Sequence, residues 1–296
     1  MTLDTESKLL GPLVVGGLGG SGTGLVADIL REVGVYMGAD LNKSSDNLWF
    51  GFLVPRPRWD LSPPEQSDQP LYQALRLFDD AMTGQLEPTR SEKKFIKEAI
   101  SRGERYAPTE RSPEWFRKRV RNLEHSRESF PVDTKLWGWK IPGSYFFLPY
   151  LLHYYEARLQ YIHVMRHGVY MARSRNQNQL EHWGALLGID REHGDSDASA
   201  SLDFWIAANN LAIAHAKELP ADRFYLLNYD ELCADPQQGV RRLLDFIQID
   251  PPQSVVDKLV SMPQPRELRF SAEELRSFTS AQLESVRELG FDVEGS

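Results

Sequence analysis

The clearest chemistry in the chain lies in nine residues near its start, Gly16-Gly-Leu-Gly-Gly-Ser-Gly-Thr-Gly24. Glycines let a backbone bend tightly and come close to an anion. Where such a turn opens a helix, the first N–H groups point at a phosphate and the helix dipole adds to the attraction. Ser21 and Thr23 add hydroxyl donors. Gly19, Gly20, Ser21, Gly22, Thr23 and Gly24 are therefore the candidate cradle for a phosphate-bearing ligand. The alternative is a tight strand-to-helix turn that holds nothing.

The loop admits more than one ligand. Gly17-Leu-Gly19-Gly-Ser-Gly22 matches G-x-G-x-x-G, and Asp40 follows the strand-like stretch Val33–Met37 about twenty residues on, as in a dinucleotide fingerprint. That reading makes the chain an NAD(P)-dependent Rossmann oxidoreductase. Gly17 to Gly22 followed by Thr23 also has the spacing of an ATP-binding loop, but it lacks the lysine that would hold the β- and γ-phosphates. The ATPase reading is the weaker of the two.

A second motif bears on the choice. Val164-Met-Arg-His-Gly-Val-Tyr-Met-Ala-Arg-Ser174 places Arg166 at the end of an apolar strand and Ser174 eight residues on. Ligands of open α/β sheets bind at the C-terminal ends of strands. If the next helix runs from Gly168, Ser174 sits about two turns along it, and an arginine fork and a neutral hydroxyl can converge on one phosphate.

Together these motifs resemble the sulfotransferases that use 3′-phosphoadenosine 5′-phosphosulfate (PAPS). The strand-end arginine with a serine eight positions later resembles that family's 3′-phosphate motif. GGLGGSGTG is similar to its 5′-phosphosulfate loop, most often written P-K-S-G-T. Trp137-Gly-Trp-Lys-Ile-Pro142 resembles a W-x-x-K-x-P segment of the group, and Asn176-Gln-Asn-Gln179 also resembles bacterial members. Leu227-Asn-Tyr-Asp-Glu-Leu-Cys-Ala-Asp-Pro236 is similar to their Y-E-D-L…D-P segment, which adds Tyr229 to the candidate donor-binding residues. The likeness covers roughly residues 12–45 and 134–270. It implies a P-loop-like α/β fold and direct sulfuryl transfer from PAPS, with PAP as product, no metal, and a hydroxyl or amine acceptor on a small molecule or glycan.

Aligned on S-G-T, the family's loop lysine falls on Gly20. The positive charge must then come from elsewhere. Lys140, at a strand end just before Pro142, is the first candidate, and Lys43, in the loop after the first helix, is the second. A base must also take the acceptor's proton. Asp46 in Asn42-Lys-Ser-Ser-Asp-Asn-Leu-Trp-Phe50 is the preferred base, where some bacterial members carry a catalytic acid. His167 adjoins the arginine and is a poorer candidate, and His163 reads as structural. Arg266 and Arg269 lie where the family closes a G-R-W-R-like segment over the 3′-phosphate, although the glycine is missing here. The missing loop lysine also keeps open a non-enzyme reading, a module that binds PAP or another nucleotide and has lost catalysis.

The elements that must position these groups follow from periodicity. Residues 12–17 read as a buried strand and 22–33 as a helix, with Leu25, Val26, Ile29, Leu30 and Val33 at helical spacing. Residues 38–68 read as loop and 69–128 as helices with a charged face. Strands follow at 136–141, 159–165 and 223–228. Helices follow at about 145–155, 168–179, 201–219 and 236–248, with a polar connection over 180–200. Ser271-Ala-Glu-Glu274 is a capping box for a last helix. Strands separated by helices argue for α/β architecture, a mostly parallel sheet covered on both faces. The expected organisation is one domain over 1–296 with a helical insertion at about 55–130.

Composition sets outer limits. The 296 residues are 41% hydrophobic, so a large core can form. A formal net charge of −8 makes nucleic acid a poor partner. No apolar run approaches the ~20 residues that span a bilayer. The N-terminus makes a poor signal peptide, and one cysteine, Cys233, excludes an internal disulfide. Those features lead to the expectation of a cytoplasmic protein.

Overall fold

A computed structural model describes residues 9–54, 69–106, 112–189, 197–264 and 270–293. Four strands, β1 (Leu10–Gly17), β2 (Leu136–Lys140), β3 (Gln160–Met165) and β4 (Phe224–Asn228), form one parallel sheet in the order β2-β1-β3-β4. The chain adds β2 on one side of β1, then crosses to the other side for β3 and β4. The order therefore reverses between β1 and β3, and that switch point is where open α/β sheets bind ligands. β3 and β4 are in register from Tyr161 with Phe224 to Met165 with Asn228. The α/β parallel sheet expected from the sequence is the one observed.

By its internal contacts the chain divides into two compact units, Met1–Val14, Leu30–Ile141 and Pro149–Gln160 in one, and Val15–Ile29, Pro142–Leu148 and Tyr161–Ser296 in the other. Along the chain, helix α1 (Thr23–Glu32) follows the glycine loop. The first unit then continues with α2 (Leu48–Leu53), α3 (Gln69–Met82), α4 (Arg90–Tyr106), α5 (Pro113–Glu124) and α6 (Ser126–Ser129). Helix α2 lies inside a stretch read from sequence as loop. Its signal was local: the Asn47 side chain accepts the N–H of Phe50 and caps an all-apolar run that shows no helical alternation. In α3, Leu71, Ala74, Leu75, Phe78 and Met82 are buried at helical spacing. The core of this unit is aromatic. Phe50 stacks on Trp139 at 5.2 Å and Phe78 meets the same indole edge-on at 5.1 Å.

After β2 come a 3₁₀ turn (Pro142–Phe147) and α7 (Leu148–Tyr155), where sequence indicated one helix. The second unit continues with α8 (Gly168–Ala172), α9 (Asn178–Trp183), α10 (Asp197–Ala216), α11 (Tyr229–Ala234), α12 (Pro236–Ile247), α13 (Gln253–Val260), α14 (Ala272–Leu275) and α15 (Ser280–Glu288). The helix expected over 168–179 stops at Ala172. The Gln177 side-chain amide lies within hydrogen-bond reach of the carbonyls of Met171, Ala172 and Ser174, so it supplies the partners that a continuing helix would have given. The capping box at Ser271 forms, but it starts only the four-residue α14. A second box, Thr279 with Gln282, starts the last helix.

Candidate active site

At the switch point, the end of β1 is pressed against β3. A Cβ built on Gly17 would lie 2.4 Å from the Val164 carbonyl, and φ there is +145°. Only glycine fits, and the tight passage delivers the loop to the start of α1. Ser21 N–H donates back to the Leu18 carbonyl at 3.0 Å, which closes the turn. The Ser21 hydroxyl is 1% exposed, and among the described residues its Oγ has no hydrogen-bond partner. A buried hydroxyl is costly without a partner, so this one has to be satisfied by a water or a ligand atom. Thr23, also buried, opens α1, whose first N–H groups have no acceptor within the helix.

Arg166 follows the last residue of β3. Its Nη1 donates to the carbonyl of Gly20 in the loop at 3.2 Å. Its guanidinium carbon lies 4.1 Å from the Tyr170 ring centroid and 4.8 Å from that of Tyr229. Two rings thus fix the plane of the fork. Asp230 Oδ1 is 4.0 Å from Nε, and that Nε has no hydrogen-bond acceptor among the described residues. Tyr229 also presses on the loop: a Cβ on Gly22 would lie 2.0 Å from its ring. The two motifs found separately in the sequence meet here, with Tyr229 between them.

Ser174 lies beyond the end of α8, in a turn rather than two turns along a helix. Its N–H donates to the Met171 carbonyl and its Oγ accepts from Asn176 N–H at 3.2 Å. Sequence reasoning gave no individual roles to Tyr170, Gln177 and Gln179. The Gly19 N–H donates to Gln179 Oε1 at 3.0 Å. No periodicity points to such a contact, because it links residues 160 positions apart.

His163 is fully buried in β3 and bonds Asn209 Oδ1 at 2.9 Å, as a structural histidine does; burial pushes its pKa down to about 4. His167 gives its backbone N–H to Asp230 and its Nε2 to the Asp292 carbonyl, and burial lowers its pKa. Arg266 and Arg269 lie outside the described residues.

The other candidates belong to the first unit. Lys140 ends β2, and its side chain is only 3% exposed rather than reaching solvent. Its Nζ donates to Asp46 Oδ1 at 2.5 Å and to the Ser44 carbonyl at 3.0 Å. That commits two of its three protons. Asp46 also accepts from Asn42 Nδ2 at 2.7 Å through Oδ2. The Asn42 side chain takes the N–H groups of Ser44 and Asp46, and Asn47 N–H bonds the Lys140 carbonyl. The Asn42–Asn47 loop is therefore built around the end of β2. Lys43 is exposed.

Two observations count against the dinucleotide reading. Asp40 is 5% exposed and its carboxylate lies 2.7 Å from Arg119 Nε, so it is engaged inside its own unit. The Val33–Met37 stretch contributes one parallel bridge, Tyr36 with Trp137, and no strand.

The family model described as "Sulfotransferase family" matches residues 12–253. The chain belongs to the sulfotransferase family. Its match runs from β1 to the start of α13 and includes both motifs and Lys140. Among solved structures, sulfotransferase STF9 from Mycobacterium avium is similar over 97% of this chain and 78% of its own, at 13% identity and TM-score 0.50. The sulfotransferase domain of the Synechococcus PCC 7002 olefin synthase aligns over 97% of each chain at 16% identity and TM-score 0.48. No match was found among curated proteins. This sulfotransferase shows no cluster of potential metal ligands among its described residues, and no described helix is long and apolar enough to cross a membrane.

Proposed function

We propose that this sulfotransferase takes its sulfuryl group from PAPS, releases PAP, and acts on a hydroxyl or amine of a small molecule or glycan. The observation that carries the reading is the meeting of Arg166 with the glycine loop. The arginine bonds the Gly20 carbonyl yet, among the described residues, keeps Nε without an acceptor, and one residue on, Ser21 Oγ is buried with no partner among them. A cationic fork and a neutral donor, set about a turn rich in N–H groups, suit a ligand with two anionic ends. In this reading Gly19 to Gly24 and the hydroxyls of Ser21 and Thr23 hold the phosphosulfate end. Arg166 and Ser174 hold the 3′-phosphate, and Tyr229 fixes the arginine.

Sulfuryl transfer asks a protein for in-line positioning and for stabilisation of charge on the leaving oxygen. PAPS supplies an activated sulfuryl group, and the chain supplies the rest. Lys140, which among the described residues uses two of its three N–H donors, is the proposed source of positive charge, and Lys43 is its alternative. Asp46 is the proposed base. Each of its carboxylate oxygens accepts one hydrogen bond and keeps a second lone pair with which to take a proton. A cytoplasmic location accords with a single cysteine, Cys233, buried as a free thiol.

The test is PAP release from PAPS, with and without a panel of phenols, alcohols, sugars and amines. At least one acceptor class should accelerate release above slow hydrolysis. A chain that binds PAP but releases none under any condition would instead be the inactive binding module.

A further inference from the structure

We infer that Gln179 is a positioning residue that sets the glycine loop for its anionic donor by accepting the Gly19 N–H with a neutral oxygen. This rests on the donor reading above. A loop this rich in glycine has little of its own to hold one conformation. Each of its N–H groups also needs an acceptor when no ligand supplies one. Gln179 Oε1 takes the N–H of Gly19 at 3.0 Å. A Cβ on Gly19 would lie 3.4 Å from Asn176 Nδ2 and 3.8 Å from Gln179 Cδ, so this segment lies directly against the loop.

The choice of side chain follows from charge. A carboxylate could accept the same N–H, but it would set a full negative charge beside a site built for an anion. The amide oxygen makes the bond without that repulsion.

Gln179 can act this way because its own position is fixed. It lies in the first turn of α9, two residues after Gln177, whose amide closes the end of α8 through the carbonyls of Met171, Ala172 and Ser174. The same stretch holds Ser174, whose Oγ takes the Asn176 N–H. Residues 174–179 therefore join the proposed 3′-phosphate serine to the glycine loop, and the spacing of the two anion sites depends on them.

The experiment is calorimetric titration of the full chain with PAP, at low and high salt, for wild type, Gln179→Met and Gln179→Glu. Methionine keeps the length and removes the acceptor. Its PAP affinity should fall about fivefold to tenfold, the value of one neutral hydrogen bond. Glutamate keeps an acceptor, so its melting temperature should stay near that of wild type. Its PAP affinity should nevertheless fall further, and the gap to wild type should narrow as salt rises. A purely structural role would not produce that salt-dependent gap. If Gln179→Met fails to fold, the salt dependence of Gln179→Glu decides alone. A wild type that binds PAP alongside a Gln179→Met or Gln179→Glu chain that binds it equally well overturns the inference and leaves the donor reading standing. A wild type that ignores PAP overturns the donor reading, and the inference with it.

Discussion

Arg166 and Gly20 are joined by a hydrogen bond from the guanidinium Nη1 to the glycine carbonyl, across 146 positions of sequence. The bond ties the cation at the end of β3 to the loop at the end of β1, the two strands that flank the switch point. The tie makes one site of two motifs.

Arg166→Ala should therefore weaken PAP much more than the analogue lacking the 3′-phosphate. Charge-assisted bonds of this kind are worth about 1.5–3 kcal/mol, or about one to two decades of affinity. Paired titrations of the two ligands measure the difference. Equal losses for both would place the guanidinium away from the 3′-phosphate.

Tyr229 should matter through the loop as well as through the arginine. Gly22→Ala puts a methyl group 2.0 Å from the Tyr229 ring at a φ of +99°. We expect a stability loss of about 1–3 kcal/mol by chemical denaturation, with PAP binding impaired. Tyr229→Ala relieves the clash but not the positive-φ strain, and it frees Arg166, so the double variant should recover part of the stability without recovering affinity. Recovery of both would show that the ring does nothing for the arginine.

Lys140→Ala should lower turnover by about two decades while PAP affinity changes by less than about one, the pattern of a group that serves the transition state more than the ground state. Lys43→Ala, at an exposed position, should be the milder change. Turnover assays beside PAP titrations separate the cases. Collapse in Lys43→Ala with near-normal Lys140→Ala would exchange the two roles.

A buried carboxyl in the first unit gives a pH signature. Burial pushes Asp79 up to about 7, against the lowering effect of its hydrogen bond from Tyr155. A raised carboxyl binds a proton in the folded state that the unfolded state has already released between about pH 4 and 7. Its contribution is therefore fully present at low pH and is lost as pH rises through that window. Asp79→Asn, which carries no titrating group, should gain melting temperature relative to wild type between pH 4.5 and 7.5, a window set at roughly these pKa values. His163, held down to about 4, works in the opposite direction, with stability lost as pH falls below about 6.5. The comparison is therefore made between variant and wild type at each pH. A constant difference across the range would refute the assignment.

The sheet and the two motifs that meet at its switch point were legible because each is written in adjacent residues: an apolar run, a glycine turn, an arginine at a strand end. Lys140 and Asp46 stood out in the sequence only as two separate candidates, and the structure pairs them. Their pairing depends on how Asn42 folds its loop around the end of β2, which no spacing encodes. Tyr170, Gln177 and Gln179 carried no individual signal for the same reason, since each acts on a partner that only the folded chain brings near or on a helix end that local pattern did not mark. Asp40 had the right spacing for a ribose ligand, and its buried pairing with Arg119 shows why spacing alone misleads. The break in the helix after Ala172 was hidden because a side-chain amide, rather than a glycine or proline, ends it.

The most direct measurement is parallel calorimetric titration of the wild-type chain with PAP, NAD and ATP. A sulfotransferase that holds its donor between the glycine loop and Arg166 should bind PAP more tightly than either of the others, and that preference should be lost in Arg166→Ala. Tight binding of NAD with none of PAP would contradict it and return the loop to the dinucleotide reading.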